Sequence, residues 1–261
     1  MRFKLTLTVD ERAFGNILPL NYQYEQSAVI YRILSYAGGE FSTWLHNNGF
    51  TLGNKKFKLF TFSRLIVPQY GIDTQRQVMR IQSKTVEWMI SFLPEIATEK
   101  FITGVFKNQT FQLGNKNYVV QFRIKEIKIL PEPVFREDGM EFRSLSPVCI
   151  SRRTPDLKIK YLSPEDPIAK TAFLQSLLNR YEAFYGQPYP LPPGEINYDL
   201  KILTPPKPVL ITIKAGLPEE TKIRGYLCNF RVIAPAPLLK ILYNSGAGEK
   251  GSLGFGCVEG E

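Results

Sequence analysis

The sequence is poor in the residues that most often bind metals or carry acid–base catalysis. Its 261 residues include one histidine, His46, and three cysteines that lie far apart without a C-x-x-C pair. A single histidine excludes an H-E-x-x-H zinc site and catalysis by two histidines. The cysteine spacing indicates neither a zinc ribbon nor a disulfide framework. We therefore predict that Cys149, Cys228 and Cys257 are buried thiols and that the protein needs no cofactor or metal.

The chain also lacks a long apolar segment. No run reaches the roughly 18 apolar residues that a membrane helix requires. Residues 1–9 alternate apolar and polar side chains, as a strand does, and have no continuous apolar core of the kind found in signal peptides. These features predict a cytoplasmic protein with no membrane partner.

Acidic residues are in the minority. Lysine and arginine together number 33, aspartate and glutamate 24, and the formal net charge is +9. Such an excess is typical of proteins that bind a polyanion, although many basic proteins bind none. With 44% hydrophobic residues the chain can form two small domains, each with a core.

The order of predicted elements repeats along the chain. Apolar spacing predicts helices at 24–37, 42–48 (with Ser42 as N-cap), 85–93, 167–185 and 237–243. Strands are predicted at 1–9, 57–66, 78–82, 118–130, 142–151, 196–203, 209–213, 223–233 and 253–258.

Pro131 and Pro133 bracket one residue and mark a boundary, because they favour extended backbone. We therefore predict two domains, 1–133 and 134–261. Each reads approximately as strand, helix, two strands, helix, strand. This order predicts an α+β protein of two tandem ferredoxin-like (RRM-like, βαββαβ) domains.

A dense glycine array occupies residues 246–256, with glycines in the pattern G-x-G-x5-G-x-G and a further one at 251. It matches neither a dinucleotide fingerprint, which needs a following helix and an acidic residue, nor a Walker loop, whose lysine position is Ser252. Two interpretations stay open. Phe255 is either an RNA-stacking aromatic on a strand or a buried residue after a tight turn.

One histidine is enough for one kind of RNA cleavage. Attack by the RNA's own 2′-hydroxyl requires a proton acceptor, a proton donor and a group that stabilises the phosphorane charge. His46 lies in the last turn of its predicted helix, where the helix dipole favours a proton donor. A lone imidazole can serve as acid, base or both, and a purely structural His46 is the alternative.

Five segments together resemble the CRISPR repeat-RNA endoribonucleases of the RAMP superfamily, which trim precursor transcripts into guide RNAs. They are Asn21-Tyr22-Gln23-Tyr24, Leu45-His46, Lys58-Leu59-Phe60-Thr61-Phe62-Ser63, Leu145-Ser146-Pro147 and the glycine array. The resemblance covers nearly the full length. It implies tandem ferredoxin-like domains and metal-independent cleavage inside the repeat, with 5′-hydroxyl and 2′,3′-cyclic phosphate ends.

The resemblance also implies a catalytic set of tyrosine, histidine and lysine. Matched by position, these are Tyr31, His46 and Lys58, all in the first domain. Because residues 50–57 lengthen the connection between His46 and Lys58, Lys55 or Lys56 is an alternative to Lys58.

For RNA binding we predict a surface made by both domains. Its candidate contacts are Arg152, Arg153, Arg224, Gly246, Gly248, Lys250, Gly251, Gly254, Phe255 and Gly256. The expected partners are a CRISPR repeat RNA and an effector complex, and the expected state is a monomer or weak homodimer. Two rival functions are a non-catalytic repeat-RNA-binding subunit of such a complex and a dinucleotide-dependent enzyme.

Overall fold

The structure is a computed structural model that describes residues 1–156 and 158–260. The strands of the first half are β1 Arg2–Val9, β2 Ile17–Pro19, β3 Phe50–Leu52, β4 Lys55–Phe57, β5 Phe60–Phe62, β6 Tyr70–Asp73, β7 Val78–Ile81, β8 Thr85–Phe92, β9 Thr110–Gly114 and β10 Val119–Leu130. Its helices are α1 Glu11–Phe14, α2 Gln23–Tyr36, α3 Gly39–Asn47 and α4 Glu95–Lys107.

The main sheet of the first half has the ferredoxin-like strand order. Its strands run β5-β8-β1-β10-β9, and all neighbours are antiparallel. Taking β1, β5, β8 and β10 as the four strands and α2 and α4 as the helices gives the chain order βαββαβ. Alternate residues of β1, Phe3, Leu5 and Leu7, are fully buried in the core formed with the helices.

The second half repeats this arrangement. Its strands are β11 Met140–Ser144, β12 Ser151–Arg153, β13 Ile159–Tyr161, β14 Asp199–Ile202, β15 Lys207–Ile213, β16 Thr221–Leu227, β17 Asn229–Ile233 and β18 Val258–Gly260. Its helices are α5 Pro167–Tyr185 and α6 Ala236–Ser245. The sheet order β14-β17-β11-β18 is again the ferredoxin-like order, and the hairpins β12–β13 and β15–β16 are inserted into it. The predicted α+β fold of two tandem ferredoxin-like units is confirmed.

The two halves are tied together by buried hydrogen bonds. The Arg2 guanidinium donates to the carbonyl oxygens of Tyr243 and Val258, and its carbon lies 3.6 Å from the centre of the Tyr243 ring. On β8 the Ser91 hydroxyl donates to Asn244 Oδ1 at 3.0 Å. Helix α6 and the glycine array therefore lie against the face of the first sheet that the first half's own helices do not cover.

One predicted helix is wrong. Residues 85–92 form β8, an interior strand of the main sheet, whereas the second core helix of the first half is α4, after Pro94. The apolar residues of a half-buried strand alternate, but β8 is covered on both faces. Val86, Trp88 and Ile90 face the core, and Met89 and Ser91 are buried on the side of the second half. Because both faces of β8 are buried, its sequence lacks the alternation of apolar and polar residues that identifies a half-buried strand.

The final strand also differs from the prediction. A single 3₁₀ turn occupies Gly251–Leu253, and strand β18 begins only at Val258. Residues 223–233 form two strands separated at Cys228, and residues 57–66 and 142–151 likewise hold separate short strands. The boundary at 133/134 falls in the irregular segment between β10 and β11 and stays a prediction.

Two smaller features complete the architecture. All three cysteines are buried, as predicted. Burial raises the pKa of Cys149 to about 12 and that of Cys257 to about 11, so these thiols stay protonated at neutral pH.

Within residues 1–156 and 158–260, no helix combines the length and apolar character needed to cross a membrane.

Candidate active site

The C-terminal end of α3 carries His46 next to α2. The predicted N-cap role of Ser42 is wrong, because α3 begins at Gly39 and Ser42 lies inside it. The Ser42 hydroxyl instead donates to the backbone oxygen of Tyr31 at 2.9 Å and joins the two helices. Residues four apart share one helix face, so His46 faces α2 as well. This local pairing positions the imidazole beside Tyr31.

Tyr31, His46 and Lys58 come together in space. The Tyr31 and His46 rings meet edge to face with centroids 5.1 Å apart. Lys58 Nζ donates to the His46 backbone oxygen at 2.7 Å. We call these three residues the catalytic cluster. The sequence separates its members by up to 27 positions. The middle of α2, the end of α3 and the residue after β4 bring them to one place.

The turn after α3 brings the lysines to this place. Gly49 has φ +62°, in the left-handed region that ends helices, and its N–H donates to the Trp44 oxygen at 2.9 Å. The β3–β4 hairpin then returns the chain toward α3. There Lys56 Nζ donates to the Asn47 oxygen at 2.9 Å, and Lys58 does the same to the His46 oxygen. Both ammonium groups thus lie on terminal helix carbonyls, where positive charge is favourable.

Protonation in the cluster is set by burial and hydrogen bonding. His46 Nδ1 lies 3.1 Å from Asn47 Oδ1, an atom that only accepts, so Nε2 is left to exchange a proton with a ligand. Burial raises the pKa of the Tyr31 phenol, which therefore keeps its proton at neutral pH and is available as a hydrogen-bond donor. Burial and the neighbouring Lys56 charge lower the pKa of Lys58.

A cleft of about 660 Å³ lies between the two halves and reaches the catalytic cluster at Lys58. Phe60, which packs edge to face on Tyr31 at 5.6 Å, also lines it. Its positively charged lining residues are Lys55, Lys56, Lys58, Arg152, Arg153, Arg180 and Lys250. Among the lining residues that the structure describes, Glu249 is the only carboxylate, and it accepts from the Ser151 hydroxyl at 2.6 Å. The cleft is therefore strongly cationic.

The glycine array packs between the halves rather than lying open. The Thr61 hydroxyl of β5 donates to the Phe255 oxygen at 2.9 Å, and Ser27 of α2 donates to the Ser252 oxygen at 2.7 Å. At Gly256, with φ +71°, a Cβ atom would overlap the carbonyl of Ala247. Close backbone packing inside the protein therefore requires glycine at this position.

The predicted RNA contacts differ in their burial and in whether they line the cleft. Phe255 is fully buried against residues such as Ile211 and Ile223, so it cannot stack a base. Three further array residues are also buried and outside the lining of the cleft: Gly246, Gly254 and Gly256. Arg224 is exposed on β16 but does not line the cleft. The predicted contacts that do line it are Arg152, Arg153, Gly248, Lys250 and Gly251.

Arg180 is a site residue that the sequence interpretation missed. It is buried in α5, where its guanidinium donates to the Ser176 oxygen, the Ser245 hydroxyl and the Gly246 oxygen at 3.1, 2.9 and 2.6 Å. Burial lowers its pKa to about 10, so it stays charged at neutral pH. Phe173, Leu177 and Arg180 share the inward face of α5. A charged residue on that otherwise apolar face was the sequence feature that could have identified Arg180. Arg180 anchors the start of the glycine array.

Comparisons with known proteins agree with this architecture. The family model "CRISPR-associated protein Cas6, N-terminal" matches residues 17–128, and "CRISPR associated protein Cas6, C-terminal" matches residues 130–260. The chain is 29% identical to "CRISPR-associated endoribonuclease Cas6 1" of Methanocaldococcus jannaschii, over 99% of this chain and 92% of that protein. It is 27% identical to "CRISPR-associated endoribonuclease Cas6" of Pyrococcus furiosus, over 100% of this chain and 90% of that protein.

Solved structures extend the agreement to the fold. The structure titled "Characterization of a Cas6-related gene from Pyrococcus furiosus" superposes with a TM-score of 0.82 at 24% identity, covering 100% of this chain and 98% of that one. At this identity the likeness concerns the fold alone. The two matching family models lie one on each ferredoxin-like unit, and the C-terminal model by itself matches half of the chain. The chain therefore belongs to the CRISPR-associated Cas6 family.

Proposed function

We propose that this protein is an endoribonuclease that cuts CRISPR precursor RNA within the repeat and so produces guide RNAs. Two curated relatives, which match this chain over nearly their whole length, are named endoribonucleases. The observation that carries the proposal is the catalytic cluster, in which Tyr31, His46 and Lys58 lie together at the edge of a cationic cleft. We place the activity in the cytoplasm, where the precursor transcripts are made.

The proposed reaction is transfer of a phosphodiester to the neighbouring 2′-oxygen. The 2′-oxygen attacks phosphorus and loses its proton, the bond from phosphorus to the 5′-oxygen breaks, and that oxygen gains a proton. The products are a 2′,3′-cyclic phosphate and a 5′-hydroxyl. No atom of the protein becomes part of the product, so the residues need only move protons and stabilise charge.

His46 is the residue of the cluster suited to moving the proton. Its Nε2 can take the proton from the 2′-hydroxyl and, once protonated, donate to the leaving 5′-oxygen. Tyr31 keeps its own proton at neutral pH and so serves as a hydrogen-bond donor to the phosphorane. Lys58 uses one N–H on the His46 carbonyl, and two remain for the developing negative charge. Lys56 and Lys55 stay the alternatives for that role.

The cleft supports a role in holding the RNA backbone. Its seven cationic side chains against one carboxylate favour a chain of phosphates over a single small anion. Arg152, Arg153 and Lys250 come from the second half and Lys58 from the first, so one RNA strand can contact both. This supports the predicted two-domain RNA surface with a smaller set of residues.

A non-catalytic RNA-binding subunit is the weaker candidate. Such a protein needs the cleft but has no need to bring an imidazole, a phenol and an ammonium group together. The cluster therefore favours the enzyme. A dinucleotide-dependent enzyme is not favoured either, because most of the glycine array is buried in packing between the halves.

The test is cleavage of a panel of CRISPR repeat RNAs in EDTA. We expect one cut within a cognate repeat and a 5′ fragment whose mass is one water less than that of the 3′-phosphate form. A matched RNA with 2′-deoxyribose at the cut position should bind and stay intact. Cleavage of that deoxy RNA, or an absolute need for Mg²⁺, would contradict the 2′-hydroxyl mechanism.

A further inference from the structure

The open sheet faces of this fold carry no base-stacking aromatics. In RRM-type ferredoxin-like domains the bases stack on aromatic side chains of the sheet face. Here β1 presents Lys4, Thr6 and Thr8 on the face opposite its core residues. Their pairing partners from β8 and β10 are polar or charged except Met89, which is not aromatic. In the second half Arg231 lies between Glu141 and Lys201 on the corresponding face. No aromatic residue occupies either face among the described strands.

Part of the first face is also covered by protein. Arg2 and Ser91 point to this side and bond to the second half through Tyr243, Val258 and Asn244. The aromatic nominated from sequence, Phe255, is fully buried. Any aromatic partner for the bases of a bound RNA therefore lies elsewhere on this protein.

A row of seven aromatic rings connects the two halves beside the cleft. Neighbouring ring centroids along this aromatic row are 4.5–5.7 Å apart. In order of contact its members are Phe41, Trp44, Phe50, Phe184, Tyr185, Tyr181 and Tyr189. The row starts on α3, which also carries His46, and crosses on β3 to the C-terminal part of α5. It ends at Tyr189, in the segment after that helix.

Two rings of the row are exposed. Trp44 is 37% exposed and Tyr185 is 45% exposed, while the rings between them pack on one another. Stacking within the row keeps the exposed rings fixed, so they lose little freedom when a ligand binds.

The row adjoins the cationic cleft at the β3–β4 hairpin. Phe57, which lines the cleft, is the direct cross-strand partner of Phe50 in the middle of the row. A surface with cations on one side and fixed aromatic rings on the other is complementary to single-stranded nucleic acid, whose phosphates and bases lie on opposite sides of its backbone.

We propose that the aromatic row, through Trp44 and Tyr185, is the base-stacking surface for single-stranded RNA whose phosphates lie in the cleft. The inference rests on the proposed RNA-processing function and names the part of the protein that contacts the bases. It replaces Phe255 in that role. Stacking tolerates any base, so the row contributes affinity and position rather than a sequence code.

Tryptophan fluorescence offers a direct test, because the chain has only two tryptophans. Trp88 is buried in the core, and the variant Trp88→Phe leaves Trp44 as the single emitter. The probe is a panel of repeat RNAs methylated at every 2′-oxygen, titrated in EDTA so that the RNA is bound without being cut. We expect saturable quenching of Trp44 emission at the same RNA concentrations at which binding occurs.

Affinity measurements with the same probe separate stacking from folding. Trp44→Ala and Tyr185→Ala should each weaken binding by roughly 5- to 100-fold, whereas Trp44→Phe and Tyr185→Phe should recover most of it because they keep a ring. The control is Phe106→Ala, a ring on α4 that is 69% exposed and lies outside the row. It should bind the RNA as the unmodified protein does.

Two results would overturn the proposal. One is RNA binding by Trp88→Phe without a change in Trp44 emission. The other is affinity within twofold of the unmodified protein for both alanine variants, with unchanged thermal unfolding. Because the methylated RNA cannot be cut, this test measures binding alone. A negative result here therefore does not contradict the proposed cleavage, and absence of cleavage does not affect the binding measurement.

Discussion

The catalytic cluster and the glycine array are opposite kinds of region. The cluster lies at the surface, where His46 is exposed and few hydrogen bonds hold the three side chains. The array is largely buried and is held at its two ends by Arg180 and Thr61. The function proposed for the first region rests on its side chains, whereas the packing of the second depends on the absence of side chains at its glycines.

The difference teaches how each region should respond to substitution. A change in the cluster should alter the cleavage rate and leave folding intact, because little packing is lost. A change in the array should lower the free energy of unfolding before it alters chemistry, because a Cβ has no room there. Each prediction below tests one side of this contrast.

The largest effect is expected inside the array. Gly256→Val puts a β-branched side chain at φ +71° against the Ala247 carbonyl, so the free energy of unfolding should fall by about 3 kcal/mol or more. Gly194→Val is the control, because no atom lies within 4 Å of its Cβ position. Urea unfolding measures both. Equal free energies of unfolding for the two variants would contradict the packing role of the glycine array.

In the cluster, Tyr31→Phe should lower the single-turnover cleavage rate by roughly 10²-fold, the usual cost of losing one donor to a developing oxyanion. The phenol oxygen accepts or donates no hydrogen bond among the described residues, so thermal unfolding should be unchanged. A lower melting temperature together with an unchanged cleavage rate per folded molecule would show that Tyr31 has a structural role and not a catalytic one.

Lys58→Gln should lower the rate by about tenfold, since it removes a charge beside the scissile phosphate. Burial lowers the pKa of Lys58, so the wild-type rate should decline at alkaline pH as this ammonium loses its proton. Lys58→Arg should move that decline to higher pH, because the guanidinium stays charged. The matched control is Lys55→Gln, and a larger loss from that control would transfer the role to Lys55.

The smallest effect concerns the cleft. Arg153→Gln should reduce the dependence of log affinity on log salt by about 0.7 for single-stranded RNA, the contribution of one phosphate contact. Arg123→Gln, an exposed arginine on β10 that does not line the cleft, should leave the slope as it was. Identical slopes for the two variants would contradict the proposed path of the RNA.

Much of the fold could be predicted from local pattern. Helices α2 and α5 and strand β10 have one clearly apolar side, and their bounds were predicted within two residues. Strand β8 was taken for a helix because contact with the second half buries its other face too. That burial depends on how the halves dock, which no local period records.

The site divides in the same way. Tyr31, His46 and Lys58 were nominated by resemblance, and the structure brings them together. Phe255 could not be assigned, because an aromatic between glycines reads alike whether it is buried or exposed. The aromatic row was invisible for another reason, since its seven members come from segments more than 130 residues apart and meet only through the contact of β3 with α5.

The most direct test of the account is single-turnover cleavage by His46→Ala beside the unmodified protein, with RNA affinity measured in parallel. His46 is exposed, and in the proposed mechanism it moves a proton without holding the RNA backbone. The rate should therefore fall by roughly 10²- to 10⁴-fold while affinity stays within about twofold. An unchanged rate, or a loss of affinity as large as the loss of rate, would contradict the assignment of His46.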